Sequence, residues 1–304
     1  MIPSENRFLI KRFNAVSDYF GIGSVISFKR VGGNANENYL LKTAQGEFIC
    51  KVLLEHPYVD LKKELIYLNH LKKYHYPVPY PVLAPNGSFI YKRKSFLAMV
   101  FPKISGKIPS ISEKTNREAG KYLAKLHGLP YKNLPGKNHW LLPKYLPSAL
   151  KVVQKHFPKE AKILYEKYDE LRHFKLNICP QSIIHGDVIC ENLIFQGRKV
   201  AAVLDWEEVG IGSSLMDFAR STLALCFTRK KFHPKLFQAL LKGYKSVKQL
   251  NYGSMEIETA IQYAVLTRSV WMLLQFGFYH KDNALKEHWK FSWTEGLDPF
   301  RIKL

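Results

Sequence analysis

The chain has 304 residues, 46 of them Lys or Arg and 25 Asp or Glu, for a formal net charge of +21; 46% are hydrophobic and 13% aromatic. Apolar content near the globular average and the lack of a low-complexity tract exclude a disordered or collagen-like chain, and the length allows one large domain or two modest ones. The charge favours an anionic partner (nucleic acid, anionic membrane or a small anion) without choosing among them.

The opening MIPSENRFLIKRF interrupts its apolar residues with Glu5, Arg7, Lys11 and Arg12, unlike the hydrophobic stretch of a secretory signal. Residues 269–280, one of the longest stretches without Asp, Glu, Lys or Arg, are too few to span a bilayer. A cytoplasmic protein without a membrane span is expected. Cys50, Cys179, Cys190 and Cys226 lack CxxC spacing, so reduced, buried thiols are expected rather than a zinc site.

In chain order, the N-terminal segment reads as alternating apolar and polar residues. Residues 25–30, 38–43 and 47–54 read as strands of a twisted antiparallel sheet, with Ala44, Gln45 and Gly46 as a turn. Leu61, Leu65, Leu68 and Leu71 form a helical stripe over residues 59–74, which Pro77, Pro79 and Pro81 end. Two more strands are expected over 88–92 and 95–101, followed by a linker at Pro102, Lys103, Ser105 and Gly106. A helix follows over 113–129, then a loop over 131–147, then a broadly helical stretch over 149–174.

The chemistry is concentrated in residues 182–225. His185, Gly186 and Asp187 are followed by Asn192 five residues after that Asp and by Asp205 thirteen further on. The residues between, 193–195 and 200–204, have strand character around a turn at 197–199. Paired as a hairpin, they bring Asn192 and Asp205 face to face within about one residue of register, close enough to share a hard cation such as Mg2+. An Asp just before such a pair is placed to take a proton from a hydroxyl aimed at a metal-bound phosphate, the layout of kinase catalytic loops. His185 is expected to brace the loop rather than transfer protons.

With HGDVICEN at 185–192 and DWEE at 205–208, the chain resembles the aminoglycoside phosphotransferase and choline kinase superfamily. The resemblance implies an α+β, bilobal protein-kinase-like fold: a small antiparallel-sheet lobe with one main helix over residues 1–102 that binds nucleotide, and a larger, mostly helical lobe over 103–304 that binds substrate. It implies ATP as donor, Mg2+ as metal, Asp187 as base and Asn192 with Asp205 as metal ligands. Asp217, preceding a helix at Phe218, Ala219 and Arg220, joins His185 as loop support. In the first half, Lys51 on a strand is expected to meet the ATP phosphates and Glu64, on the apolar stripe of the next helix, to hold it. The loop GGNANEN from Gly32, Gly33 and Asn34 is expected over the phosphates, and the connection around Met99 and Phe101 beside adenine. Within the superfamily the homoserine kinase branch fits best, through NENYLLKT at 36–43, GEFICKVL at 46–53, PVPYPV at 77–82 and GKYLAKLHGL at 120–129. The sequence DWEEVG and the C-terminal helices depart from that branch, so the acceptor is less determined than the reaction.

Other classes stay open on sequence alone. A protein kinase is disfavoured because Gly186 replaces the Arg of HRD, Trp206 and Glu207 replace the Phe and Gly of DFG, and no APE follows. A pseudokinase scaffold need not retain Lys51, Glu64, Asp187, Asn192 and Asp205, and no nucleic-acid-binding signature is present. The acceptor is therefore expected to be a small molecule with a hydroxyl, such as homoserine, a choline-type or hydroxylysine-type alcohol, methylthioribose or an aminoglycoside. Between Phe218 and Met255 there is no carboxylate but a run of basic residues, which weighs against a polycationic aminoglycoside. For an amino acid acceptor, Arg220 and Arg268 are candidate carboxylate partners, and Glu208 and Asp282 candidate ammonium partners.

Overall fold

Phe13, Val16 and Phe20 recur at helical spacing, and all three are buried on one side of helix α1 (Ser4–Phe20). The sequence predicts no element for this segment; its stripe becomes a helix because it has a sheet face to pack on. In the computed structural model, residues 4–32, 36–53, 58–94, 96–136, 145–173, 180–228 and 231–289 are described. The chain divides into two compact units, Met1–Gly106 and Lys107–Leu304.

The first unit is a five-stranded antiparallel sheet in the order β1-β2-β3-β5-β4. Its strands are β1 (Val25–Gly32), β2 (Glu37–Thr43), β3 (Gly46–Leu53), β4 (Tyr91–Arg93) and β5 (Phe96–Pro102), with helix α2 (Tyr58–Lys73) between β3 and β4. Strand β4 begins later than the sequence predicts. Asn86 Oδ1 accepts from Ser88 N and Ser88 Oγ from Ile90 N, which holds 86–90 in a local turn instead of a ladder. Tyr39, Leu41, Cys50, Val52, Ala98 and Val100 form one core with Phe13, Val16 and Phe20 of α1. Since side chains alternate across a sheet, Lys51, Leu53, Met99 and Phe101 lie on the opposite face.

The second unit is mostly helical. Helix α3 (Glu113–His127) starts at Ser112, whose Oγ accepts from Thr115 N, and ends at Gly128. The broadly helical stretch expected over 149–174 is formed by two helices, α4 (Leu146–His156) and α5 (Pro158–Leu171). Pro158 has no N–H to continue α4 but suits the first position of a new helix, and Phe157 leaves the helical region with φ −139 and ψ 64. Two small ladders follow. Strand β6 (Gln181–Ile184) pairs with β9 (Gly210–Ser213), and β7 (Leu193–Gln196) with β8 (Lys199–Val203), in the hairpin the sequence predicts. Lys107 and Phe195 add a reciprocal bridge to that hairpin, with both N···O distances 2.9 Å.

Helix α6 (Ser214–Leu225) leaves β9 directly, capped by Ser213, so Asp217 stands in its first turn rather than before it. A two-residue ladder, β10 (Phe227–Thr228) with β11 (Lys231–Phe232), leads to α7 (Pro234–Lys245) and α8 (Ser254–Met272). Beyond α8, Leu273–Tyr279 widens into a π-helix, and α9 (Asn283–Lys286) follows. Among the described residues no helix is long and apolar enough to cross a membrane.

Candidate active site

The loop carrying Asp187 starts where β6 ends, and it is fixed by one buried carboxylate. Asp217 Oδ2 accepts from His185 N and Oδ1 from Gly186 N, both at 2.8 Å. Asp217 Oδ2 is also 3.0 Å from His127 Nε2 of α3, whose Nδ1 is 2.9 Å from the Tyr244 hydroxyl of α7. Burial alone pushes the Asp217 carboxyl upward, but the hydrogen bond and field of His127 and the main-chain hydrogen bond from His185 outweigh it and hold the group below its usual value.

His185 is fully buried and braces the loop in two directions. Its Nδ1 accepts from Asp187 N at 3.2 Å and its Nε2 donates to Leu204 O at 2.9 Å, which fixes the neutral Nε2–H tautomer. Burial lowers its pKa, against the charges of Asp217 and Asp187. The ring lies 4.5 Å from that of buried Trp206, whose Nε1 donates to Val203 O at 2.8 Å. The Asp187 loop and the strand end that precedes Asp205 are thus joined through one buried, neutral ring.

Asn192 closes the same loop. Its Nδ2 donates to Asp187 O at 2.9 Å and to Asp187 Oδ2 at 3.4 Å, and its carbonyl accepts from Leu204 N at 2.7 Å, directly across the hairpin. Asp205 is the next residue, exposed and at φ 61, a left-handed conformation that turns its side chain out of the strand line. With its nitrogen engaged, the Asn192 amide keeps Oδ1 as a hard oxygen donor, and Asp205 follows the residue paired with Asn192 across the hairpin; an amide oxygen and a carboxylate are a donor pair suited to Mg2+ completed by phosphates and water. Among the described residues no group of three or more His, Cys, Asp or Glu could hold a metal through protein donors alone.

Two arginines flank this group. Arg220 of α6 places Nη2 3.6 Å from Asp187 Oδ1 and its Nε 3.4 Å from Gly186 O. Its guanidinium is buried, which lowers its pKa, while Asp187, Glu208 and Asp217 act in the other direction. Arg268 of α8 lies within the fields of both Arg220 and Asp187, and its Cζ sits 4.5 Å over the Trp271 ring. Asp282 is not part of this group: it caps α9, with Oδ1 accepting from Leu285 N at 3.0 Å.

In the first unit, Lys51 is buried in central β3, opposite Asn38 on one side and Met99 on the other, and Glu64 is buried on α2. Among the described residues no ion pair joins the two. Val100 O accepts from Val82 N, so the main-chain groups of Met99 and Phe101 point into the β3 ladder, and it is their side chains that share the face of Lys51. Gly32 ends β1 at φ 149, paired with Asn38, while Gly33 and Asn34 lie outside the described residues, as does Cys179. Sequence reasoning missed His127 and Tyr244. The signal for His127 was in hand, since it is the one titratable residue of GKYLAKLHGL on the buried face of α3; Tyr244 carried none.

The chain is 27% identical over 250 residues to a homoserine kinase of Mesorhizobium japonicum, covering 77% of this chain and 75% of that protein. It is 24% identical over 284 residues to a homoserine kinase of Polaromonas naphthalenivorans, covering 89% of each. Among solved structures, an amicoumacin kinase in complex with AMP-PNP, Ca2+ and Ami superposes with a TM-score of 0.72 at 15% identity, over 98% of this chain and 97% of that one. The fold is therefore that of the protein-kinase-like small-molecule kinases. A phosphotransferase model spans residues 27–256, from β1 through the Asp187 loop and Asp217 into α8, and the chain belongs to the phosphotransferase enzyme family.

Proposed function

We propose that the chain is an ATP- and Mg2+-dependent kinase that transfers a γ-phosphoryl group to the hydroxyl of a small molecule, with homoserine as the acceptor. The observation that carries this reading is the arrangement of Asp187, Asn192 and Asp205 on two loops tied together by His185 and by the Asn192–Leu204 bond. Homoserine is favoured by the curated relatives and by the arginines around Asp187, which suit an acceptor with a carboxylate better than a polycation.

In this reading Asp187 accepts the hydroxyl proton as the acceptor oxygen bonds to phosphorus and the bond from phosphorus to the departing ADP oxygen breaks. Asn192 and Asp205 would hold Mg2+, which when bound neutralises charge on the phosphates. Arg220 keeps the Asp187 carboxylate aimed. Lys51 meets the phosphates and Glu64 supports it, the turn from Gly32, Gly33 and Asn34 covers them, and the Met99 and Phe101 side chains offer apolar surface to adenine. The proposed nucleotide-binding part is the first unit and the proposed acceptor-binding part the second.

The test is ADP release by the full chain with Mg·ATP across homoserine, choline, hydroxylysine, methylthioribose and an aminoglycoside. Homoserine should be turned over with the highest kcat/KM, and Asp187→Ala should abolish turnover while retaining ATP binding. Turnover in Asp187→Ala equal to the parent removes the assignment, and preference for another acceptor removes homoserine alone.

A further inference from the structure

The two arginines beside Asp187 are not equivalent. Arg220 is engaged on its own unit: Asp187 Oδ1 lies 3.6 Å from its Nη2, Gly186 O 3.4 Å from its Nε, and Glu208 contributes further negative charge. Arg268 has no hydrogen-bond or ion-pair acceptor among the described residues. Its Cζ lies 4.5 Å over the Trp271 ring, a cation–π contact that uses none of the guanidinium's five N–H donors in a hydrogen bond to an oxygen acceptor. Burial and the neighbouring Arg220 together bring its pKa down to about 10, with Asp187 opposing. A cation in such a setting is costly unless an anion joins it. Arg220 has Asp187 as its ion-pair partner and Gly186 O as an acceptor, whereas the N–H donors of Arg268 meet no acceptor among the described residues, so it is Arg268 whose donors are open to an anionic ligand. The planar edge of a stacked guanidinium matches a carboxylate, which it can hold through two parallel bonds.

We propose that Arg268, stacked on Trp271, is the acceptor's carboxylate-binding residue, and that Arg220 is a positioning residue that holds Asp187 and does not touch the acceptor. The acceptor is then an alcohol bearing a carboxylate, and its hydroxyl lies on the Asp187 side of Arg268. This rests on the kinase reading above and divides between two residues a role that both had been expected to share.

The experiment compares L-homoserine with 3-aminopropan-1-ol, the same molecule without its carboxylate, and with L-2-aminobutyrate, which keeps the carboxylate but lacks the hydroxyl. Binding to the full chain is measured by calorimetry and turnover by ADP release. The parent should favour homoserine over 3-aminopropan-1-ol, and Arg268→Met should cut that kcat/KM preference roughly 10- to 100-fold, chiefly through KM for homoserine. L-2-aminobutyrate should bind the parent and be lost in Arg268→Met. Arg220→Lys should instead lower kcat with KM for homoserine and 2-aminobutyrate affinity retained. Should Arg268→Met fail to fold, Arg268→Lys, which keeps the charge but loses the fork, serves in its place and should show the smaller loss of preference. Parent and variant with the same preference and the same 2-aminobutyrate affinity would overturn the proposal. If the parent turns over another carboxylate-bearing alcohol in an Arg268-dependent manner, homoserine is wrong and the proposal stands. If it turns over no alcohol, the kinase reading falls and the binding of 2-aminobutyrate decides the proposal alone.

Discussion

His185 and Leu204 are joined by a 2.9 Å hydrogen bond from the imidazole Nε2 to the main-chain carbonyl, and Leu204 is the residue immediately before Asp205. Through this bond the loop that carries Asp187 and the strand end that carries Asp205 share one buried, neutral anchor. Replacing His185 by Ala removes it and leaves Leu204 O without that donor. We expect kcat to fall roughly 10- to 100-fold and KM for Mg·ATP to rise, with Asn at the same position restoring part of the loss if its amide reaches Leu204 O. Steady-state kinetics on folded variants check this, and a variant that changes stability but neither constant would show the bond to be structural only.

Asp187 and Asp205 should separate cleanly in their effects. Asp187→Asn keeps the Asn192 contact and the loop shape, so nucleotide affinity should stay within about threefold while kcat falls by at least about 1000-fold. Asp205→Ala should weaken Mg2+-dependent nucleotide binding, seen as a loss of the Mg2+ effect in calorimetric titration. Equal losses of binding in both variants would mean that the two carboxylates serve one ligand.

Much of this site could be read before the structure because its parts are local. HGDVICEN fixes the Asp187–Asn192 loop within eight residues, and the hairpin after it sets Asp205 by register alone. The support for that loop is not local: His127, Asp217 and Tyr244 come from three helices, and the chain between them carries no periodic sign that they meet. Helix α1 was missed for a similar reason, since its stripe gains meaning only with the sheet face of Tyr39, Cys50 and Val100 that covers it. The break at Phe157 is the opposite case. Pro158 announced it, and the apolar run on both sides concealed it.

Asp217 makes the stability of the second unit depend on acid. Its folded pKa lies below the usual carboxylate value, so it contributes stability above about pH 4 that is lost as the pH falls through the folded value. Asp217→Asn removes that contribution and offers a donor where His185 N and Gly186 N both need acceptors. The variant should be destabilised by about 2–4 kcal/mol at pH 7, with the difference from the parent shrinking at acid pH. Urea unfolding of both proteins between pH 3 and 7 measures it. A constant difference across that range would remove the charge from the explanation.

Helices α3 and α7 cross with their backbones in contact, and two glycines make this approach available. A Cβ on Gly120 would stand 2.1 Å from Leu240 O and 2.8 Å from Tyr244 N, and one on Gly243 would stand 2.0 Å from Arg117 O. Main-chain oxygens cannot step aside as a flexible side chain can, so either alanine forces the helices apart. Each single substitution should cost at least about 2 kcal/mol of stability despite the better helix propensity of Ala. The two changes press on one crossing from opposite sides, and a separation that relieves one relieves most of the other. The double variant should therefore lose markedly less than the sum of the two, by about 1 kcal/mol or more. The same separation draws Tyr244 away from His127, which lies two turns beyond Gly120 on α3, so kcat should fall with stability in all three variants. Chemical denaturation and kinetics on the single and double variants decide the matter: strict additivity would mean that the helices yield at two independent places, and full activity would detach the crossing from the support of the Asp187 loop.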